Sequence, residues 1–150
     1  MILFDIDPRI ERIAKHYGRE HQRWKLVEEC GELLAELGRF RTGDRSNVAD
    51  LIHEAADVIV VARQLYRSAP TYTETTGDAQ ADVDSLTVAV VLLTNFTVND
   101  TPSTVKLWAD AMENRAAGFA ALLGAEKMLA DAIEMKTARQ IERIEAEERE

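Results

Sequence analysis

Apolar residues recur at helical spacing along most of this chain, and the stretches between them are short and polar. Asp7-Pro8 marks the first start, because Asp caps a helix and Pro suits its first turn. A short helix is expected from Pro8 to Tyr17, with Gly18 as its stop. A second covers about 19–38, where Leu26, Cys30, Leu33 and Leu37 follow a 4-3-4 spacing and Val27 and Leu34 widen the stripe. Gly38 and "RFRTGDRSN" end it. Asn47, with Asp50 three residues on, caps a third helix, "VADLIHEAADVIVVARQLYRSA". That helix buries Leu51, Ala55, Val58, Ile59, Ala62 and Leu65.

Pro70 opens the clearest linker, "TYTETTGDAQAD", which is Thr-rich, carries Gly77 and lacks apolar periodicity. Three further helices follow. One runs from Val83 to Phe96. The next runs from about Ser103 to Leu123, capped by Thr101 or Ser103 beside Pro102 and ended by Gly124. The last runs from Ala125 to the C-terminus, where Arg139 faces Glu142 and Arg143 faces Glu147 at helical spacing. "FTVND" has some β character, but a single strand has nothing to pair with. The pattern predicts one all-α domain, an antiparallel helical bundle over 1–150, without internal repeats.

Composition narrows the setting. Three prolines, seven glycines and 6% aromatics suit helices better than a sheet. A net charge of −9 repels nucleic acid and anionic membrane, so neither is expected as a partner. The single cysteine, Cys30, rules out an internal disulfide. "MILFDIDPRIER" is too short and too acidic for a signal peptide. The most apolar run, "LTVAVVLL", falls well below the roughly 20 residues that span a bilayer. A soluble, cytoplasmic protein is the expectation.

The charge is not spread evenly. "KLVEECGELLAEL" at 25–37 carries Glu28, Glu29, Glu32 and Glu36, with Lys25 its only cation. Glu29 and Glu32 are three residues apart and project from one side of the helix. Glu54 and Asp57 repeat that spacing on the third helix, with Asp50 one turn before Glu54. Both pairs border an apolar stripe, and a short loop makes the two helices antiparallel neighbours. Four carboxylates can therefore converge. Unaided, such a cluster repels itself, and some members take up protons instead. Hard divalent cations, Mg²⁺ or Mn²⁺, prefer carboxylate oxygens and retain water and substrate phosphates as further ligands. The alternative is a plain, solvated acidic face.

"KLVEECGELLAEL" followed by "HEAADVIVVARQL" resembles the E-E-x-x-E … E-x-x-D signature of the MazG-like, all-α nucleoside triphosphate pyrophosphohydrolases. The resemblance covers roughly residues 9–66 and 130–145, with 21 residues between Glu32 and Glu54. It implies a bundle of that family's type and hydrolysis of nucleoside or deoxynucleoside triphosphates to the monophosphate and pyrophosphate. It also implies Glu29, Glu32, Glu54 and Asp57 as Mg²⁺ ligands, with Mn²⁺ as the alternative ion. Glu28 fills the first Glu of the motif, in a role of orienting water or ligands. "KTARQIER" echoes the basic rhythm of the family's last helix, which makes Lys136, Arg139 and Arg143 candidates for binding phosphate.

Lys25 lies one turn before Glu29 and can reach a triphosphate or pair with Glu29. Gln22, on the same side, can read a base edge. Trp24 can stack on a base or sit in the core. His53 beside Glu54 can form a ligand pair with Asp50, three residues before it, or be a capped or exposed imidazole, and Cys30, on the apolar stripe, is expected as a buried structural thiol. The chain departs from compact family members by an insert of about 68–124. Its two amphipathic helices can complete the core, cover the nucleotide pocket or form a subunit interface. Trp108, Met112 and Phe119 share one face as core or as an oligomer seam. The resemblance implies a homodimer or homotetramer. Two rivals remain open: a non-catalytic nucleotide-binding regulator, and a helical interaction protein with the same fold.

Overall fold

A computed structural model describes residues 7–150 as six helices with, among these residues, no strand. Residues 1–6, which begin the stretch read against a signal peptide, lie outside the described residues. The helices are α1 (Pro8–Tyr17), α2 (Arg19–Arg41), α3 (Val48–Tyr66), α4 (Ala79–Val98), α5 (Pro102–Leu122) and α6 (Glu126–Glu148). The fold class is all-α, as the periodicity predicts.

Asp7 caps α1 by accepting from the Arg9 amide at 3.0 Å, with Pro8 in the first turn. Gly18 takes φ 83°, a left-handed value open to glycine, and divides α1 from α2. The expected stop at Gly38 is not one. α2 continues to Arg41 because Phe40, buried against Phe119 edge-to-face, anchors one more turn. The chain turns at Gly43 instead, where φ is 109°. Asn47 does not cap α3 with its side chain. Its buried amide donates to the Glu36 carbonyl at 2.9 Å and to Glu36 Oε2 at 2.7 Å, bracing the end of α2. Asp44 caps the intervening 3₁₀ turn, Arg45–Asn47, through the Ser46 amide.

Cross-helix contacts set the directions. Glu36 meets Asn47 and Gln22 meets Gln64, so α2 and α3 are antiparallel. α4 runs antiparallel to α2, with Arg41 on Asp84 at one end and Arg23 on the Thr97 carbonyl at the other. α6 runs parallel to α1 and α3. The helices of 68–124 thus complete the core: α4 and α5 pack on α2 and α3, with Met112 and Phe119 fully buried and Trp108 packed against that core.

The linker is tied down. Glu74 donates its amide to the Asn114 carbonyl, and buried Asp82, in the first turn of α4, accepts from the Thr76 amide and from the Thr75 and Thr76 hydroxyls. Gly118 makes this possible, since a Cβ there would lie 1.7 Å from the Glu74 carbonyl oxygen. α4 begins earlier and ends later than expected, and "FTVND" falls at its helical end. At 20 residues, with mean hydropathy 1.4 over its most apolar window, α4 is long and apolar enough to cross a membrane, which the eight-residue run did not suggest. In this fold Val83, Leu86, Val90 and Leu93 are buried in the bundle, and Val88, Val91 and Val98 are exposed.

Candidate metal centre

The apolar stripe of α2 points Leu26, Cys30, Leu33 and Leu37 inward, and that of α3 does the same with Leu51, Ala55, Val58 and Ile59. Each acidic pair is carried at the border of its stripe, and the antiparallel packing brings the two borders together. One oxygen from each of Glu29, Glu32, Glu54 and Asp57 lies within 4.8 Å of the others. Glu29 is buried, Glu54 and Asp57 half-buried and Glu32 exposed, so the group opens to solvent on one side.

Two cations touch it. Lys25 Nζ lies 3.2 Å from Glu29 Oε1, one turn away on α2. Lys136 Nζ, from α6, lies 2.8 Å from Asp57 Oδ1. Two ammonium groups against four carboxylates leave two charges uncompensated when all four are ionised. Glu29 Oε2 and Glu54 Oε2 are buried and accept no hydrogen bond among the described residues. Burial, then the nearby charge of Asp57, pushes both the Glu29 and Glu54 carboxyls up to about 7. Buried, unpartnered carboxylate oxygens beside uncompensated charge fit a hard divalent cation, which takes oxygen ligands and supplies the missing positive charge.

Among the other expected site residues, Glu28 stands outside the cluster, exposed, with an oxygen 3.4 Å from Lys25 Nζ. Arg139 and Arg143 are exposed and, among the described residues, form no ion pair, so the expected pairs with Glu142 and Glu147 are absent. α1 serves the carboxylates of α6 instead: Arg9 bonds Glu134, Arg12 bonds Glu145 and Glu148, and His16 meets Glu147. The helical i+4 rule sees only its own helix, and the closer cations here come from a parallel neighbour. Arg139 and Arg143 follow Lys136 by three and seven residues and share its side of α6. Gln22 is 2% exposed and donates to Gln64, which donates to Gln140 at 2.9 Å. It braces α2 to α3 rather than offering a free edge. Trp24 is 49% exposed, with Arg23 over its ring. Burial pushes the Cys30 thiol up to about 12, which suits a structural thiol and not a nucleophile.

Sequence reasoning missed Gln64, Gln140 and the direct Lys136–Asp57 contact. A signal existed for Gln64: it follows Asp57 by seven residues, as Gln22 precedes Glu29 by seven, so an amide layer lies two turns from the acid layer on both helices. No family model, curated protein or solved structure matches this chain.

Proposed function

We propose that this chain is a Mg²⁺-dependent nucleoside triphosphate pyrophosphohydrolase of the MazG-like, all-α group, cleaving between the α- and β-phosphates. The observation that carries the reading is the convergence of Glu29, Glu32, Glu54 and Asp57 with two buried, unpartnered oxygens. These are the four acidic positions on which the resemblance rests. They would hold Mg²⁺, with Mn²⁺ as the alternative ion. When bound, such an ion activates water and offsets charge on the phosphate oxygens during in-line displacement.

The chain's own cations bind the polyphosphate. Lys25 and Lys136 already touch cluster carboxylates and can exchange them for phosphate oxygens. Arg139 and Arg143 extend the row along α6. Glu28, next in sequence to Glu29 and exposed, would orient water or ligands from outside the cluster. A homodimer or homotetramer acting in the cytoplasm is part of this reading.

A release assay for pyrophosphate, run over canonical, deoxy and modified triphosphates, tests it. The expected result is Mg²⁺-dependent release of pyrophosphate and monophosphate from at least one of them. Binding of Mg²⁺ and nucleotide without release would leave a regulator. One observation favours the interaction-protein reading: two of the four acids already have lysine partners. Calorimetry with Mg²⁺ and a non-hydrolysable nucleotide separates it, since a plain acidic face gives no saturable heat.

A further inference from the structure

We propose that the cleft between α3 and α6 holds the nucleoside of the triphosphate; this rests on the metal-site reading above and adds to it the position of the base. The cleft is a shallow depression, open to solvent, with a volume of about 380 Å³, lined by His53 from α3 and by Lys127, Met128, Asp131, Ala132 and Met135 from α6. It adjoins the acid cluster. His53 precedes Asp57 by one turn, and Ala132 precedes Lys136 by one turn, so the Asp57–Lys136 contact closes one end. The opposite border of Asp57 faces α2, where Glu29 and Glu32 stand. A triphosphate on the cluster therefore has its nucleoside end within reach of the cleft.

The lining selects the occupant. Lys127 and Asp131 stand at the rim and satisfy each other at 2.6 Å, so the cleft presents no unpaired cation for phosphate. What remains is two thioethers, a methyl group and an imidazole. Thioethers pack well against flat aromatic rings and adapt to their shape, and an imidazole offers a stacking face. Met128 is 41% exposed with its apolar side chain at the cleft, a large hydrophobe that a bound ring would cover. The other cavities fit less well. The one of about 660 Å³ beside Arg63 and Lys106 opens on the far side of α6 from Met128 and Met135. The one of about 180 Å³ at Gln22 and Gln64 is walled by amides already bonded to one another.

Calorimetric titration with Mg²⁺ tests the assignment, using α,β-methylene analogues of the common ribo- and deoxyribonucleoside triphosphates and, as the probe without a nucleoside, inorganic tripolyphosphate. The variants are His53→Gln and the double variant Met128→Gln/Met135→Gln, which keep side-chain length and helix preference; circular dichroism confirms their fold. Each variant is expected to bind the preferred analogue about tenfold more weakly and tripolyphosphate within about twofold of wild type. Unchanged nucleotide affinity in both variants would place the base elsewhere and leave the metal site standing. Equal loss for both probes would also overturn the assignment, because these residues would then act through the cluster. If the wild type binds neither probe, the metal-site reading itself fails, and the nucleoside site with it.

Discussion

Two regions of this bundle are rich in carboxylates and treat them in opposite ways. Along the seam between α1 and α6, acids meet partners from the facing helix in water: Arg9 with Glu134 at 2.7 Å, Arg12 with Glu148 at 2.9 Å, His16 with Glu147 at 2.6 Å. Between α2 and α3, four carboxylates share two lysines, and Glu32 and Glu54 have no cation among the described residues. The first region is a solvated seam whose pairs each contribute little. The second holds charge where burial penalises it, and there Glu29 and Glu54 hold on to their protons up to about 7. The contrast is that the seam pairs its acids with arginine, whereas the acids between α2 and α3 are left with lysine partners for Glu29 and Asp57 alone.

The largest expected effect breaks the second region. Glu32→Ala or Asp57→Ala should lower turnover by more than about 100-fold while circular dichroism stays helical, since ligand loss exceeds the usual effect of outer-shell changes. Arg12→Ala, with the same assay, should leave turnover unchanged.

The next effect has an opposite sign for stability. Glu54→Gln removes a carboxyl that burial holds at about 7. A full shift of that size corresponds to ~3 kcal/mol. Solvent screening at a half-buried site reduces the gain to ~1 kcal/mol, or a rise in Tm of about 2–4 °C, for the metal-free protein at pH 8. The same variant should lose Mg²⁺ binding. A fall in Tm would mean that Glu54 is held by favourable contacts.

The pH dependence follows from the same carboxyls. Glu29 and Glu54 keep protons in the folded chain that the unfolded chain releases near the ordinary carboxylate range. Their contribution therefore favours folding at low pH and is lost as pH rises through about 7. Metal-free protein should show a falling Tm over that window. Mg²⁺ affinity should run the other way, climbing through about pH 7 as protons cease to compete and levelling above it. A flat affinity profile would detach these two acids from the metal.

The smallest effect lies in the seam. Arg12→Gln should cost no more than ~1 kcal/mol, and the loss should shrink in high salt. Thermal melts at two ionic strengths measure it.

Much of the bundle was legible in the sequence because helices announce themselves locally. The 4-3-4 stripe of α2, the Asp7-Pro8 start and the Gly18 break each need only a few neighbouring residues. The acid cluster was legible for the same reason, since two i,i+3 pairs at the edges of apolar stripes on adjacent helices have one place to go. What was not legible depends on distant partners. Lys136 reaches Asp57 from another helix, Arg12 takes the acids of α6, and Phe119 anchors the turn that carries α2 past Gly38. The linker looked loose because its bonds run to Asn114 and Asp82, and the residue that admits it, Gly118, sits inside a helix where glycine carries no local signal. Gln22 looked free because its partner, Gln64, belongs to α3.

The most direct measurement is a Mn²⁺ titration followed by electron paramagnetic resonance, on wild type, Glu32→Ala, Asp57→Ala and, as the seam control, Glu148→Ala. The expected result is saturable binding in wild type and in the Glu148 variant, and its loss in the other two. Equal binding in all four proteins, or none in wild type, would contradict a divalent-cation site between α2 and α3.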